Sequence, residues 1–169
     1  MNKDNKAVTL RVMDIVDGTT VDGTGFRTSI YFAGCEHHCP HCHNQATWPM
    51  DAGEELTVSE LMARIEENDL NVTFSGGDPM YQAASLLSLA KEISRLGKTI
   101  WCYTGFTYEQ VKADPQMSRL LDYIDVLVDG PYINDLRDTS LLFRGSSNQR
   151  LISVKESRDG DMVLWQPEF

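Results

Sequence analysis

The chain runs to 169 residues, of which 41% are apolar and 24% charged, and it carries a formal net charge of -10. That length suits one domain with a proper core and falls short of a complete eight-unit barrel of roughly 250 residues, so a barrel-like fold here would be partial. A surface this acidic repels nucleic acid at long range, which excludes binding through phosphate contacts and leaves no nucleic-acid partner expected.

The opening stretch MNKDNKAV has no apolar run or cleavage site, and no segment approaches the ~20 apolar residues of a membrane span. A cytoplasmic protein with no membrane partner is the expectation. Residues 28–33, TSIYFA, read as a buried strand, stopped by Gly34 just before the loop CEHHCPHC. Thr57 and Glu60 form a capping box, and Leu61 and Ile65 continue with helical spacing to near Asn68. A short strand over 71–74 then ends at the turn SGGDP. Beyond the proline, Leu86, Leu87, Ala90, Ile93 and Leu96 mark one face of a helix closed by Gly97.

The unit repeats. A strand over 99–103 runs into Thr104 and Gly105, a helical stretch follows to about Leu121, and a strand over 124–128 ends at Asp129, Gly130 and Pro131. The tail is less regular, with strands expected near 151–154 and 162–165. Strands alternating with helices give a parallel sheet with right-handed crossovers, whose ligand site gathers at the carboxyl ends of the strands. The cysteine loop and the SGGDP, YTG and DGP turns all fall on that edge. No domain boundary interrupts the pattern, so 1–169 is read as a single domain of α/β class.

Three of the four cysteines, Cys35, Cys39 and Cys42, are spaced CxxxCxxC. Thiolates at this spacing converge on an iron–sulfur cluster or a zinc ion, and three of them leave one metal position for another ligand. All four histidines, His37, His38, His41 and His43, crowd the same loop and could supply a fourth zinc ligand. Zinc knuckles usually pair two ligand hairpins, whereas one loop carries everything here, so a cluster fits better. Cys102, mid-strand in TIWCYTG, reads as a buried core cysteine. In SGGDP the glycines permit close backbone approach to a ligand, and Asp78 can accept from a cationic amine; the same letters also spell an ordinary turn. No P-loop or Rossmann glycine pattern is present, and histidines confined to the cysteine loop leave little room for a hydrolase triad.

The cysteine loop after a first strand and the Gly-Gly-acidic turn after a second resemble the radical S-adenosylmethionine (radical SAM) superfamily. More narrowly, VDGTGFRTSIYFAGC, CHNQATW, the SGGDP and YTG turns, DVLVDGPY and FRGSSNQR resemble its glycyl radical enzyme activases that serve anaerobic ribonucleoside-triphosphate reductase. Thr24 departs from the proline usual in VDGPG, which touches loop rigidity rather than chemistry.

The resemblance implies a partial, open α/β barrel with a mostly parallel sheet. In it Cys35, Cys39 and Cys42 are catalytic through a [4Fe–4S] cluster, and S-adenosyl-L-methionine (SAM) binds the open iron through its amine and carboxylate. His41 takes the adenine-side place with His43 beside it, and Gly76, Gly77 and Asp78 match the turn that holds the methionine amino group. Thr104 and Asp129 lie where activases place further SAM or cation contacts. The implied activity is reductive cleavage of SAM to a 5′-deoxyadenosyl radical, which takes hydrogen from a glycine of the reductase large subunit, with electrons from a one-electron donor. Two other readings stay open: an activase for another glycyl radical enzyme, and a non-enzymatic metal-binding module. Residues 137–158 also hold five basic side chains against two acidic ones, a strip that could dock a partner.

Overall fold

A computed structural model describes residues 8–167. Its centre is a parallel run of β2 (Arg27–Phe32), β4 (Asn71–Gly76), β5 (Ile100–Tyr103) and β6 (Val126–Asp129). Antiparallel strands β1 (Thr9–Thr19) and β3 (Glu54–Thr57) extend one side, and β7 (Arg150–Ser153) extends the other. The order β3-β1-β2-β4-β5-β6-β7 leaves β3 and β7 as free edges, so the sheet is open as expected.

Register explains why the helices pack on one face. Ile30, Phe74, Cys102, Leu127 and Ile152 are lateral partners in successive strands and form one apolar row. Against this face pack α1 (Val58–Asn68), through Leu61 and Ile65, and α2 (Ala83–Arg95), through Leu86, Leu89 and Ile93. Spacings of three and four put those residues on a single helical stripe. The predicted capping box is present: Thr57 Oγ1 accepts from Glu60 N at 3.1 Å, and Glu60 Oε2 accepts from Thr57 N at 2.8 Å.

Two expectations changed, and two strands were not foreseen. The helical stretch before β6 is two short helices, α3 (Tyr108–Ala113) and α4 (Met117–Leu120). Asp114 is extended because Pro115 follows it, and its carboxylate accepts from the amides of Gln116 and Met117 to restart the helix. The tail strand over 162–165 is a lone bridge between Leu164 and Ile152, preceded by α5 (Val154–Ser157). Strands β1 and β3 had no sequence-based forecast, since β1 buries only Leu10 and Val12 before running into solvent.

At the amino ends of the parallel strands sits Arg27, 1% exposed. Its guanidinium donates to the carbonyls of Val72 and Thr99 at 2.7 and 3.1 Å and to Thr73 Oγ1 at 2.8 Å, tying three strands together. Burial lowers its pKa to about 10, which still leaves it charged at neutral pH. Gly23, at φ +142, passes so close that a Cβ would meet the arginine stem at 2.8 Å. Arg27→Met removes the guanidinium donors to the Val72 carbonyl and Thr73 Oγ1 and leaves the Thr99 carbonyl with Val72 N–H, so urea unfolding should show a loss of about 3 kcal/mol. A change within error would mean that these bonds contribute little.

Candidate functional site

The opposite, carboxyl edge of the sheet carries the site. Where β2 ends, the chain leaves as a loop whose two ends are clasped: Gly34 N donates to Thr47 O at 2.7 Å and Cys35 N to Trp48 O at 3.1 Å. A turn from Cys39 O to Cys42 N at 3.1 Å folds the interior. His38 and His41 take left-handed φ values of 48° and 62°, uncommon for residues with a Cβ and a mark of a loop held from outside.

All three loop cysteines are free thiols that line one cavity of about 220 Å³, together with Gly76, Gly77, His43 and Thr104. Burial, opposed by the main-chain N–H of His37 at the sulfur, pushes the Cys35 thiol up to about 11. Cys42 Sγ accepts from Asn44 N at 3.4 Å. Among the described residues no three His, Cys, Asp or Glu side chains stand close enough to share a single metal ion. A cluster asks less of the free chain, because each of its thiolates binds a different iron.

The glycine turn lies flush against the start of this loop. Gly77 N donates to Phe32 O at 2.9 Å and Asp78 N to Gly34 O at 2.8 Å. A Cβ on Gly76, at φ +109, would meet Phe32 N at 2.3 Å, and one on Gly77 would meet Gly34 O at 2.6 Å. Only glycine fits both places. Asp78 is buried, and its carboxylate accepts from Met80 N at 3.0 Å, Thr104 Oγ1 at 2.9 Å, Gly105 N at 2.9 Å and His37 Nε2 at 2.6 Å. Four donors fill it, so it faces the protein rather than the cavity.

Of the residues singled out from sequence, the cavity wall includes Cys35, Cys39, Cys42, His43, Gly76, Gly77 and Thr104, and leaves out His41, Asp78 and Asp129. His41 is exposed on the loop. Asp129 is buried at the end of β6, where it accepts from Tyr108 N at 2.7 Å and from Arg150 Nε at 3.1 Å. The wall also includes His37, offered by the sequence only as a candidate zinc ligand, and Asn44, Tyr103, Tyr132 and Gln149, which had been assigned no part there. Strand alternation could have found Tyr103, whereas Tyr132 and Gln149 arrive on the loop between β6 and β7 by tertiary folding alone. The basic strip is largely engaged within the chain: Arg150 pairs with Asp129 and Glu109, Arg144 bonds Gln149 O, and Arg158 donates to Leu121 O and Asp122 O.

Cysteine loop, glycine turn and open parallel sheet together define an iron–sulfur protein, and over residues 21–152 the chain matches the 4Fe–4S single cluster domain family. The fold is shared with QueE from Escherichia coli, at a TM-score of 0.53 and 18% identity over 77% of this chain and 63% of that one. The anaerobic ribonucleoside-triphosphate reductase-activating protein of Escherichia coli K12 is 39% identical, covering 76% of this chain and 89% of its own. Its namesakes in Salmonella typhimurium LT2 and Enterobacteria phage T4 are each 36% identical, covering 76% and 79% of this chain and 89% and 87% of their own. The chain belongs to the family of anaerobic ribonucleoside-triphosphate reductase-activating proteins.

Exposure separates the thiols of the metal-free chain. With iodoacetamide at neutral pH, half-buried Cys39 and Cys42 should be alkylated first. Cys35, whose thiol ionises only near pH 11, and fully buried Cys102 should lag. Peptide mass spectrometry reads the order directly, and early modification of Cys35 would contradict the closed loop.

Proposed function

We propose that the chain is a single-domain radical SAM enzyme that activates anaerobic ribonucleoside-triphosphate reductase by taking a hydrogen atom from a glycine of its large subunit. The observation that carries this reading is the meeting of three free thiols and a glycine turn in one cavity. The donor set suits the group: Cys35, Cys39 and Cys42 would hold a [4Fe–4S] cluster with one iron left for SAM. When bound and reduced, the cluster supplies the electron that splits SAM into methionine and a 5′-deoxyadenosyl radical.

The chain's own residues orient and exclude. Gly76 and Gly77, lacking side chains, let the methionine end of SAM lie on the main chain, where carbonyls accept from its ammonium group. Asp78 serves from behind by fixing that turn and Thr104. His43, with Tyr132 at a ring-centroid distance of 5.7 Å, offers an aromatic corner for adenine, and His41 serves the same side from the exposed loop. Asp129 holds Arg150 and so steadies the end of β6 beneath Gly130, which lines the cavity. Tyr103 and Val128 present carbon to the interior and keep water from a reactive primary radical.

The glycine substrate enters from the open side, beside Tyr132. A radical at its Cα is stabilised by the flanking amide groups, so the hydrogen transfer runs downhill from a primary carbon. An external one-electron donor must reach the cluster.

The direct test mixes anoxically reconstituted protein, reductant, SAM and the reductase, and looks for 5′-deoxyadenosine together with a glycyl radical on the large subunit. Replacing Cys35, Cys39 or Cys42 by alanine should abolish both signals, while Cys102→Ala keeps them. Nucleoside without a radical on the reductase would sink the partner assignment, and a colourless, sulfide-free protein carrying zinc would sink the enzyme. Gly77→Ala pushes a methyl group into the Gly34 carbonyl and should weaken SAM binding about tenfold, which is about 1.4 kcal/mol, in equilibrium titrations of the holoenzyme.

A further inference from the structure

Between β6 and β7 the main-chain ladder ends at the pair Asp129 and Arg150. Gly130 turns to φ +93° and Pro131 has no N–H to donate, so the backbone alone cannot continue it. Side chains of the stretch FRGSSNQR continue it instead, in the same register. Gln149 Nε2 donates to Gly130 O at 3.1 Å, Asn148 Nδ2 donates to Pro131 O at 2.7 Å, and Ser146 Oγ accepts from Ile133 N at 3.2 Å. Gln149 also folds its own stretch, since its Oε1 accepts from the amides of Gly145 and Ser146 at 3.0 and 3.2 Å. Gly145 is thereby held against Tyr132, where a Cβ would meet the ring at 3.2 Å. That ring lines the cavity beside His43. Its hydroxyl donates to Asn134 Oδ1 at 3.0 Å, a bond within the same segment that moves with it.

We infer that Gln149 and Asn148 are positioning residues for the hydrogen transfer: they clasp residues 130–133 so that Tyr132 stands as a fixed wall on the open side of the cavity, where it sets how closely the partner's glycine approaches the 5′-deoxyadenosyl carbon. The inference rests on the radical SAM reading above. In that step the 5′ carbon gains a C–H bond, the glycine Cα loses one, and the unpaired electron passes from the first carbon to the second. A primary radical that misses the glycine takes its hydrogen from another C–H bond in reach, so a wall displaced by about an ångström diverts the transfer without stopping SAM cleavage. The sheet does not hold this wall by itself. Residues 133–140 are exposed and carry no strand, and the carboxamides of the clasp supply donors where the paired strand has run out.

Two variants test the clasp. Gln149→Leu keeps much of the bulk and removes the three carboxamide bonds, while Asn148→Ala removes the one to Pro131. Holoenzymes reconstituted without oxygen are mixed with reductant, SAM and the reductase, and glycyl radical is counted per 5′-deoxyadenosine formed. Poor folding or a missing cluster lowers both products together and leaves their ratio alone, whereas a displaced wall lowers the ratio. It should fall about tenfold in Gln149→Leu and about threefold in Asn148→Ala. An unchanged ratio in Gln149→Leu overturns the inference, and where that variant does not fold, an unchanged ratio in Asn148→Ala does so. Amide exchange of the holoenzymes alone, followed by mass spectrometry, gives a readout free of turnover. Residues 130–136 should exchange about tenfold faster in Gln149→Leu than in the unaltered protein, with β4 keeping its rate, and equal rates over 130–136 overturn the inference. Where the unaltered holoenzyme itself leaves no radical on the reductase, the functional reading falls, and the exchange rates decide whether the clasp sets the wall.

Discussion

The buried carboxylate of Asp78 is the contact on which the site's geometry depends. It gathers four donors from three segments: the start of the short helical turn at Met80, the end of β5 through Thr104 and Gly105, and the cysteine loop through His37. An ionised carboxylate excluded from water is costly unless its oxygens are filled, so each donor is held in place by the penalty of leaving it unmade. Three segments distant in sequence are thereby locked into one arrangement. The cavity between them is shaped before any ligand arrives, which is the condition for orienting a reactive species rather than merely binding it.

That lock works because the parallel sheet has already brought the segments together. In β2, β4, β5 and β6 every carboxyl end points the same way, so the cysteine loop, the glycine turn, Thr104 and Gly130 meet without any long-range instruction beyond strand order. Arg27 performs the corresponding task at the amino ends, where its guanidinium ties main-chain carbonyls rather than a carboxylate. A charge without a directly bonded counter-ion is tolerable there because five acceptor contacts, two of them to Thr99, and the face of Trp101 replace water. The two ends of the sheet are thus stapled by buried charged side chains of opposite sign. The cavity that the three loop cysteines line lies at the carboxyl end, beside the Asp78 staple.

The central units were legible because their signals are local. The capping box of Thr57 and Glu60, the helical face read from Leu86, Ala90 and Ile93, and the glycines after β4 each occupy a few consecutive turns and need no partner to be read, although that face passed over buried Leu89 and took in exposed Leu96. Cysteine spacing was legible for the same reason. What escaped was set by pairing at a distance. Strand β1 has weak alternation and exists because β2 and β3 flank it, and the walls supplied by Tyr132 and Gln149 come from an irregular segment whose path is fixed by β7. Asp78 shows the subtler miss: its letter in SGGDP suggested an acceptor for a ligand, and only the fold reveals that protein donors occupy it.

Strand parity accounts for the fourth cysteine. Cys102 lies within the same edge region as the cavity, one residue before Tyr103, yet successive side chains of a strand point to opposite faces. Tyr103 lines the cavity, so Cys102 must face the helices, where Phe74 and Leu127 are its lateral partners. Complete burial raises its thiol pKa well above the ordinary value, and the nearby charge of Asp78 adds to the shift, so the thiolate needed for ligation is disfavoured twice over. A shift of one residue in register would have turned this sulfur toward the other three. As the sheet stands, the cavity receives three thiols and no more from these four cysteines.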